Sequence, residues 1–241
     1  MPHKWCLCKR CCCSDGLSQT LVFHVKHPKI IIEEHPVGIG ILKITRELQK
    51  NFNPLLERYL DELLSWNQKI NLVSRTVSRE TVREHITHSL LVQGLGLLSG
   101  HSTWLDTGSG GGLPGIPLSI INSNMNWVLN DNIRKKMMVI DSIIEELKLK
   151  NVRTETGSVS LVKLEPGTGI VSKHAFKTDD LIRKLEGKPW KTIILWKGVK
   201  DAREEVGKIR GEIKADLYRL EFGSAESFYE GKGILMLRRK G

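Results

Sequence analysis

The sequence predicts an α/β fold of Rossmann-like type. It should be a mostly parallel seven-stranded sheet with an antiparallel last strand, plus N-terminal helices. Three observations carry this expectation. After Gly100, short β-rich runs alternate with helical runs, the pattern of strands joined by crossover helices. The first of those strands ends in a glycine-rich turn, Asp106-Thr107-Gly108-Ser109-Gly110-Gly111-Gly112. The last two β-rich runs, 217–222 and 234–238, have no convincing helix between them, so they should pair antiparallel.

Residues 1–43 show no clear period and are broken by His27-Pro28 and His35-Pro36. The run Ile30-Ile31-Ile32 suits a short strand, but the segment reads as an extension outside the folded body. It contains all five cysteines: Cys6, Cys8, Cys11, Cys12 and Cys13. No second ligand group follows them at zinc-finger spacing, and no uninterrupted apolar core marks an export signal. Residues 44–100 form a helical segment. Asn53 is placed as an N-cap, with Pro54 at the first helical position. Leu56, Tyr59, Leu60, Leu63 and Leu64 then recur at helical spacing to about Gln68. A basic loop follows, and a second helix covers 81–91.

Residues 101–241 make the sheet domain. A strand at 103–107 leads through the glycine turn into a helix at 115–121. A second strand, 127–130, ends at Asp131, and a long helix runs over 134–148 with Met137, Ile140, Ile144 and Leu147 on one face. Strands three to five are expected at 151–156, 169–172 and 191–196, and a helix at 201–211. No internal repeat is present.

The formal net charge is +10. Lysine and arginine neutralise phosphates and release counterions, so a polyanion suits this chain, although a solvated basic surface has the same composition. The cysteine-free body fits a reducing cytosol, and a cytoplasmic monomer is expected. No apolar run approaches the ~20 residues that span a bilayer, so no membrane partner is expected.

In the turn, Asp106 ends a buried strand, and Gly108, Gly110 and Gly112 supply backbone angles that a Cβ disfavours. A ligand can then lie against bare backbone, facing amides at the start of a helix. Gly110, Gly112 and Gly115 also fit the dinucleotide string G-x-G-x-x-G, but two residues late relative to the strand end. In the register that matches the strand end, the third glycine position is Leu113. That register favours S-adenosyl-L-methionine, a nucleoside joined to an amino acid, over a pyrophosphate. Asp131, at the end of the next strand, is placed to accept from ribose hydroxyls. A nicotinamide oxidoreductase is the weaker reading.

Absences narrow the methyl acceptor. The domain has no cysteine nucleophile for pyrimidine C5 and no Pro-Pro pair of the kind used on exocyclic amines. A ring nitrogen such as guanine N7 needs neither, because its lone pair attacks directly; no catalytic acid–base residue is expected.

Seven segments, in order, resemble the bacterial small-subunit ribosomal RNA methyltransferase G family, also called glucose-inhibited division protein B. They are WNQKINLVSR (66–75), EHITHSLL (84–91), LDTGSGGGLPGIPLSI (105–120), LNDNIRKK (129–136), ELKLKNV (146–152), IVSKHAF (170–176) and LWKG (195–198). The resemblance implies a class I S-adenosylmethionine-dependent methyltransferase that modifies N7 of a guanine in 16S ribosomal RNA or the small subunit. It carries cofactor contacts onto Gly108, Leu113 and Asp131. Two positions depart from the family pattern. Val159 and Ser160 stand where an acidic residue often lies beside the adenine. Lys173 or His174 stands in place of an arginine after the fourth strand. These departures leave a catalytically degenerate RNA-binding homologue as an alternative.

Other residues have two readings. His85 and His88 lie three apart on a helix but lack a third metal ligand; the resemblance puts His85 near the cofactor side as a substrate candidate. Trp66 and Asn67 suit core packing more than base stacking. Arg134, Lys135 and Lys136 form either a solvated face or part of an RNA track. Lys197 is expected to meet an RNA phosphate. Arg238, Arg239 and Lys240 read as a solvated tail.

Overall fold

A computed structural model describes residues 30–239 of the chain. The cysteine cluster and Lys240 lie outside the described residues. Eight strands form one sheet: β1 (Ile32–Gly38), β2 (Thr103–Thr107), β3 (Asn126–Asp131), β4 (Val152–Thr156), β5 (Gly169–Lys173), β6 (Thr192–Gly198), β7 (Ile213–Glu221) and β8 (Lys232–Arg239). Their order is β1-β7-β8-β6-β5-β2-β3-β4. All neighbours are parallel except those of β8, which runs antiparallel to both β6 and β7. The antiparallel ending matches the sequence reading. The strand number does not: it is eight rather than seven, because β1 adds to the edge of β7, its Ile32 level with Ala215 and its Gly38 with Glu221. Residues 32–43 of the expected extension are therefore a sheet edge and the start of a helix.

Among the described residues the helices are α1 (Ile39–Lys50), α2 (Asn53–Asn67), α3 (Arg79–Gly94), α4 (Gly115–Ile121), α5 (Arg134–Glu146), α6 (Thr178–Lys184) and α7 (Val199–Val206), and a 3-10 turn covers Ser224–Tyr229. Ser78 caps α3 by accepting from the Thr81 amide. The expected Asn53 cap is displaced by one residue: Phe52 holds the cap position without a side-chain bond, and Asn53-Pro54 open the helix.

Strand alternation splits the core by face. Trp104, Trp127, Leu129, Val171, Ile194 and Trp196 pack against Leu60 and Leu63 of α2 and Ile86 and Leu90 of α3, in the larger cluster. Leu105, Val128, Ile170, Ile193 and Leu195 point the other way, toward Leu181 of α6 and Ala202 and Val206 of α7. The order reverses at β2, whose partners β3 and β5 lie on opposite sides. In an open α/β sheet, ligands bind beyond the strand carboxyl ends at such a reversal. The glycine turn sits there.

Candidate functional site

The turn after β2 is held from four sides. Gly108 and Ser109 donate backbone N–H bonds to the Asn130 carbonyl, at 2.8 and 3.0 Å. The Asn130 side chain accepts from Thr107 Oγ1 and donates to the carbonyls of Glu155 and Gly157, tying the ends of β2, β3 and β4. Tyr59 on α2 donates to the Gly111 carbonyl at 2.9 Å. Below the turn, buried Asp106 accepts from the Gly115 amide at 2.9 Å through Oδ2, and its Oδ1 has no partner. Burial pushes the Asp106 carboxyl up to about 7, against the Gly115 hydrogen bond that favours its charged form.

Glycine is required at two positions for different reasons. Gly108 has φ +70°, and a Cβ there would lie 2.3 Å from the Ala175 Cβ. Gly110 has φ +55°, yet a Cβ would meet nothing closer than the Leu72 carbonyl at 3.8 Å. At Gly110 the open space is the cavity itself.

That cavity measures about 620 Å³, within the range of small-molecule sites. Its walls bring together Gly108, Gly110, Leu113, Asp131, Val159, Lys173, His174 and His85 of the sequence candidates. Asp131 accepts from the Gly110 amide at 3.0 Å and the Ile133 amide at 2.9 Å, one on each oxygen. A carboxylate has about four acceptor sites, so capacity remains for ribose hydroxyls. Apolar Ile133 and Val159 also line the cavity, with Ser158 between Gly157 and Val159.

Four candidates lie elsewhere. Asp106 is beneath the turn and does not line the cavity. Ser160 is exposed and meets the Ser158 hydroxyl at 2.8 Å; Ser158 is the one in the cavity wall. Arg134 is exposed at the start of α5, outside the lining that includes Lys136. Lys197, expected to meet a phosphate, instead pairs with Glu205 at 2.7 Å and donates to the Phe176 carbonyl at 2.5 Å. Glu205 also accepts from the Thr178 amide and hydroxyl. Burial opposes its charge, but the Lys197 and Thr178 hydrogen bonds prevail and lower its pKa. Lys197 thus ties β6 and α7 to the loop after β5. Lys197→Met strands a buried carboxylate, the two side chains being only 10% and 11% exposed. We expect it to destabilise the fold by about 3 kcal/mol in urea unfolding; an unchanged midpoint contradicts this.

The sequence left Lys173 and His174 as alternatives for one position; the structure gives them different places. Lys173 is buried and donates to the His85 carbonyl at 2.8 Å and to Ser89 Oγ at 3.2 Å. Burial and nearby Lys232 push its ammonium down to about 7, against the attraction of Asp106. His174 follows on the cavity wall with φ +59°, unusual for a residue with a side chain. Burial and Lys173 push His85 down to about 3, so its ring is neutral. His88 is fully buried against Phe228 and Tyr229, and neither ring nitrogen has a partner. Among the described residues, a group with metal-ligand spacing is Glu33, His35 and Asp216. There Lys214 pairs with Glu33 and Arg238 with Asp216, making it an ion-pair cluster.

Sequence reasoning missed three wall segments. Leu72, Val73 and Ser74 reach the cavity because Asn67 accepts from the Leu72 and Val73 amides and donates to the Ser74 carbonyl. Asn130 is the strut described above. Ala175 and Phe176 close the side toward β6. The expectation of free helix-start amides also changes. The Gly108, Ser109, Gly110 and Gly115 amides are all bonded inside the protein. A turn whose amides are occupied suits a nucleoside better than a pyrophosphate.

The sequence pattern of a family described as rRNA small subunit methyltransferase G matches residues 52–219. "Ribosomal RNA small subunit methyltransferase G" of Flavobacterium johnsoniae is 33% identical over 183 residues, covering 73% of this chain and 86% of that protein. The protein of the same name from Christiangramia forsetii is 31% identical over 206 residues, covering 82% and 93%. Among solved structures, an O-methyltransferase from Bacillus cereus in complex with SAH superposes with a TM-score of 0.51 at 18% identity, covering 76% of this chain and 90% of that one. That likeness is one of fold.

Proposed function

We propose that this chain, which belongs to the rRNA small subunit methyltransferase G family, methylates N7 of a guanine in 16S ribosomal RNA. Membership makes it an S-adenosylmethionine-dependent methyltransferase of ribosomal RNA; the target atom and the route are our reading. The observation that carries the reading is the cavity over Gly110, with the Asp131 carboxylate in its wall held by two backbone amides. The residues fit the cofactor. Gly110 leaves open space in the wall, Asp131 would hold the ribose hydroxyls, and Ile133, Ser158 and Val159 would surround the adenine.

S-adenosylmethionine supplies an electrophilic methyl on a sulfonium. The guanine N7 lone pair forms the new N–C bond, the C–S pair stays on sulfur, and no proton moves. The protein therefore contributes position and electrostatics. His85, neutral at physiological pH, adds no charge that would repel a cationic ligand. The reading includes a monomer working in the cytoplasm; the cysteine-free body supports the reducing compartment. No helix among the described residues is long and apolar enough to cross a membrane.

Lys173 gives this reading a pH signature. Below about 7 its ammonium is charged and Asp106 is protonated; above it both change, and each change favours a cationic ligand. Affinity for S-adenosylmethionine relative to S-adenosylhomocysteine, which lacks the sulfonium charge, should therefore rise from pH 6 to 8. The expected change is about tenfold, as for a charge pair separated by roughly 12 Å at an effective dielectric of about 20. Calorimetry measures it, and Lys173→Met should reduce it, leaving the share that Asp106 contributes. A ratio independent of pH contradicts the assignment. The function itself is tested by incubating unmethylated small subunits with enzyme and labelled cofactor. Label in 7-methylguanosine is expected; label in any other nucleoside, or none, overturns the proposal.

A further inference from the structure

His174 is held where a glycine would be more comfortable. Its φ is +59°, uncommon for a residue with a side chain. The chain around it is fixed. Lys173 before it is anchored on the His85 carbonyl of α3, Lys197 donates to the Phe176 carbonyl at 2.5 Å, and Glu205 accepts from the Thr178 amide at 2.8 Å. The ring brings the fold little in return. It is exposed, and it makes no hydrogen bond among the described residues. Its aromatic neighbour there is buried His88, 6.3 Å away and tilted by 44°, which is not a stacking arrangement. A strained backbone carrying a ring that the fold does not use points to a functional place.

The position of the ring gives that use. His174 stands in the wall between the cofactor cavity and a smaller polar pocket of about 330 Å³. The residues that fit the adenosine half of the cofactor, Asp131, Ile133, Ser158 and Val159, lie at the ends of β3 and β4. The sheet order β5-β2-β3-β4 puts the end of β5 on the other side of the glycine turn. That side, walled by His85, Lys173, His174 and Phe176, is left for the half that carries the methyl. The acceptor base has to arrive there. A planar base needs a planar surface, and histidine is among the side chains on which unpaired RNA bases stack. Charge matters as well. N7 methylation makes the base cationic, so an imidazolium beneath it would oppose the reaction. Partial desolvation and the cations of Lys173, Lys232 and Lys197 push the His174 ring down to about 4, which keeps it neutral at physiological pH.

We propose that the His174 ring is the platform on which the target guanine stacks at the mouth of the cofactor cavity, with N7 toward the methyl. The inference rests on the guanine N7 reading above and adds the surface that positions the base.

The test is His174→Gly, with His174→Phe beside it. Glycine removes the ring and accepts the backbone; phenylalanine keeps a flat ring and removes both ring nitrogens. With unmethylated small subunits, His174→Gly should lose roughly fivefold to a hundredfold in kcat/KM, the size of one base stack. His174→Phe should retain most of the wild-type value. The melting temperature of His174→Gly should equal or exceed that of the wild type, and its affinity for S-adenosylhomocysteine should be unchanged. Wild-type kcat/KM in His174→Gly overturns the inference. So does a phenylalanine variant as slow as the glycine one, which would assign the role to the ring nitrogens. A lower melting temperature in His174→Gly would give the ring to the fold, and a parallel loss of S-adenosylhomocysteine affinity would give it to the cofactor; either result overturns the inference too. If the wild-type enzyme puts no methyl on guanine N7, the functional reading has failed and the inference falls with it. If the wild type does so and His174→Gly equals it, only the inference has failed.

Discussion

Gly110→Val should abolish cofactor binding while the chain stays folded. The position combines a left-handed backbone with open space: φ is +55°, and the nearest atom to an added Cβ is the Leu72 carbonyl oxygen at 3.8 Å. The strain of a side chain in that conformation costs on the order of 1–2 kcal/mol, which a domain of this size tolerates. The valine methyls project into the cavity, where they exclude the ligand. Calorimetry with S-adenosylhomocysteine should show at least a hundredfold loss of affinity, with circular dichroism unchanged. Gly108→Val makes the contrast. Its Cβ would lie 2.3 Å from Ala175, so that variant should lose stability as well as binding. Wild-type affinity in Gly110→Val would show that the ligand does not lie on this turn.

Asp131→Ala should be nearly as damaging, for a different reason. The carboxylate secures the Gly110 and Ile133 amides at 3.0 and 2.9 Å and lies in the cavity wall. Removing it leaves both amides without a protein acceptor and removes the partner of the ribose. Each charge-assisted bond contributes about 1.5–3 kcal/mol. Losing the ribose contacts should therefore lower kcat/KM for the cofactor by roughly 10²- to 10³-fold, mainly through KM. Asp131→Asn should be similar, since one oxygen becomes an amide donor facing an N–H. Initial rates at varied S-adenosylmethionine decide this; a change under tenfold means that the ribose is held elsewhere.

The parts legible in the sequence are those in which neighbours along the chain are also neighbours in space. The glycine turn, Asp131 and the alternating core strands each announce themselves within a few residues. β1 did not, because it pairs with residues 213–221, far along the chain. Its Glu33, Glu34 and Pro36 do suit an edge strand, where charge and a missing N–H prevent further pairing. α6 is only seven residues long, with two acids in its first turn and two bases in its last as its only signal. Asn130 was invisible because an asparagine beside an aspartate suggests a loop; its role appears only when three strand ends converge on it. Lys197 misled for a related reason. It was expected just after the strand but lies within β6, and Glu205 reaches it only through the packing of α7 on β6.

The family departures also gain a physical meaning. Lys173 turns inward to α3, while His174 forms the wall between two pockets. The charge at this point of the cavity is therefore held by a titratable lysine rather than by a permanently charged guanidinium.

The most direct test of the account is the position of the methyl group. Unmethylated small subunits are incubated with S-adenosylmethionine and either the wild-type chain or Gly110→Val, and the 16S RNA is then cleaved at 7-methylguanosine. The account predicts cleavage at one guanine with the wild type and none with the variant. Cleavage that persists with Gly110→Val, or a folded wild-type chain that leaves the RNA unmodified, would contradict it.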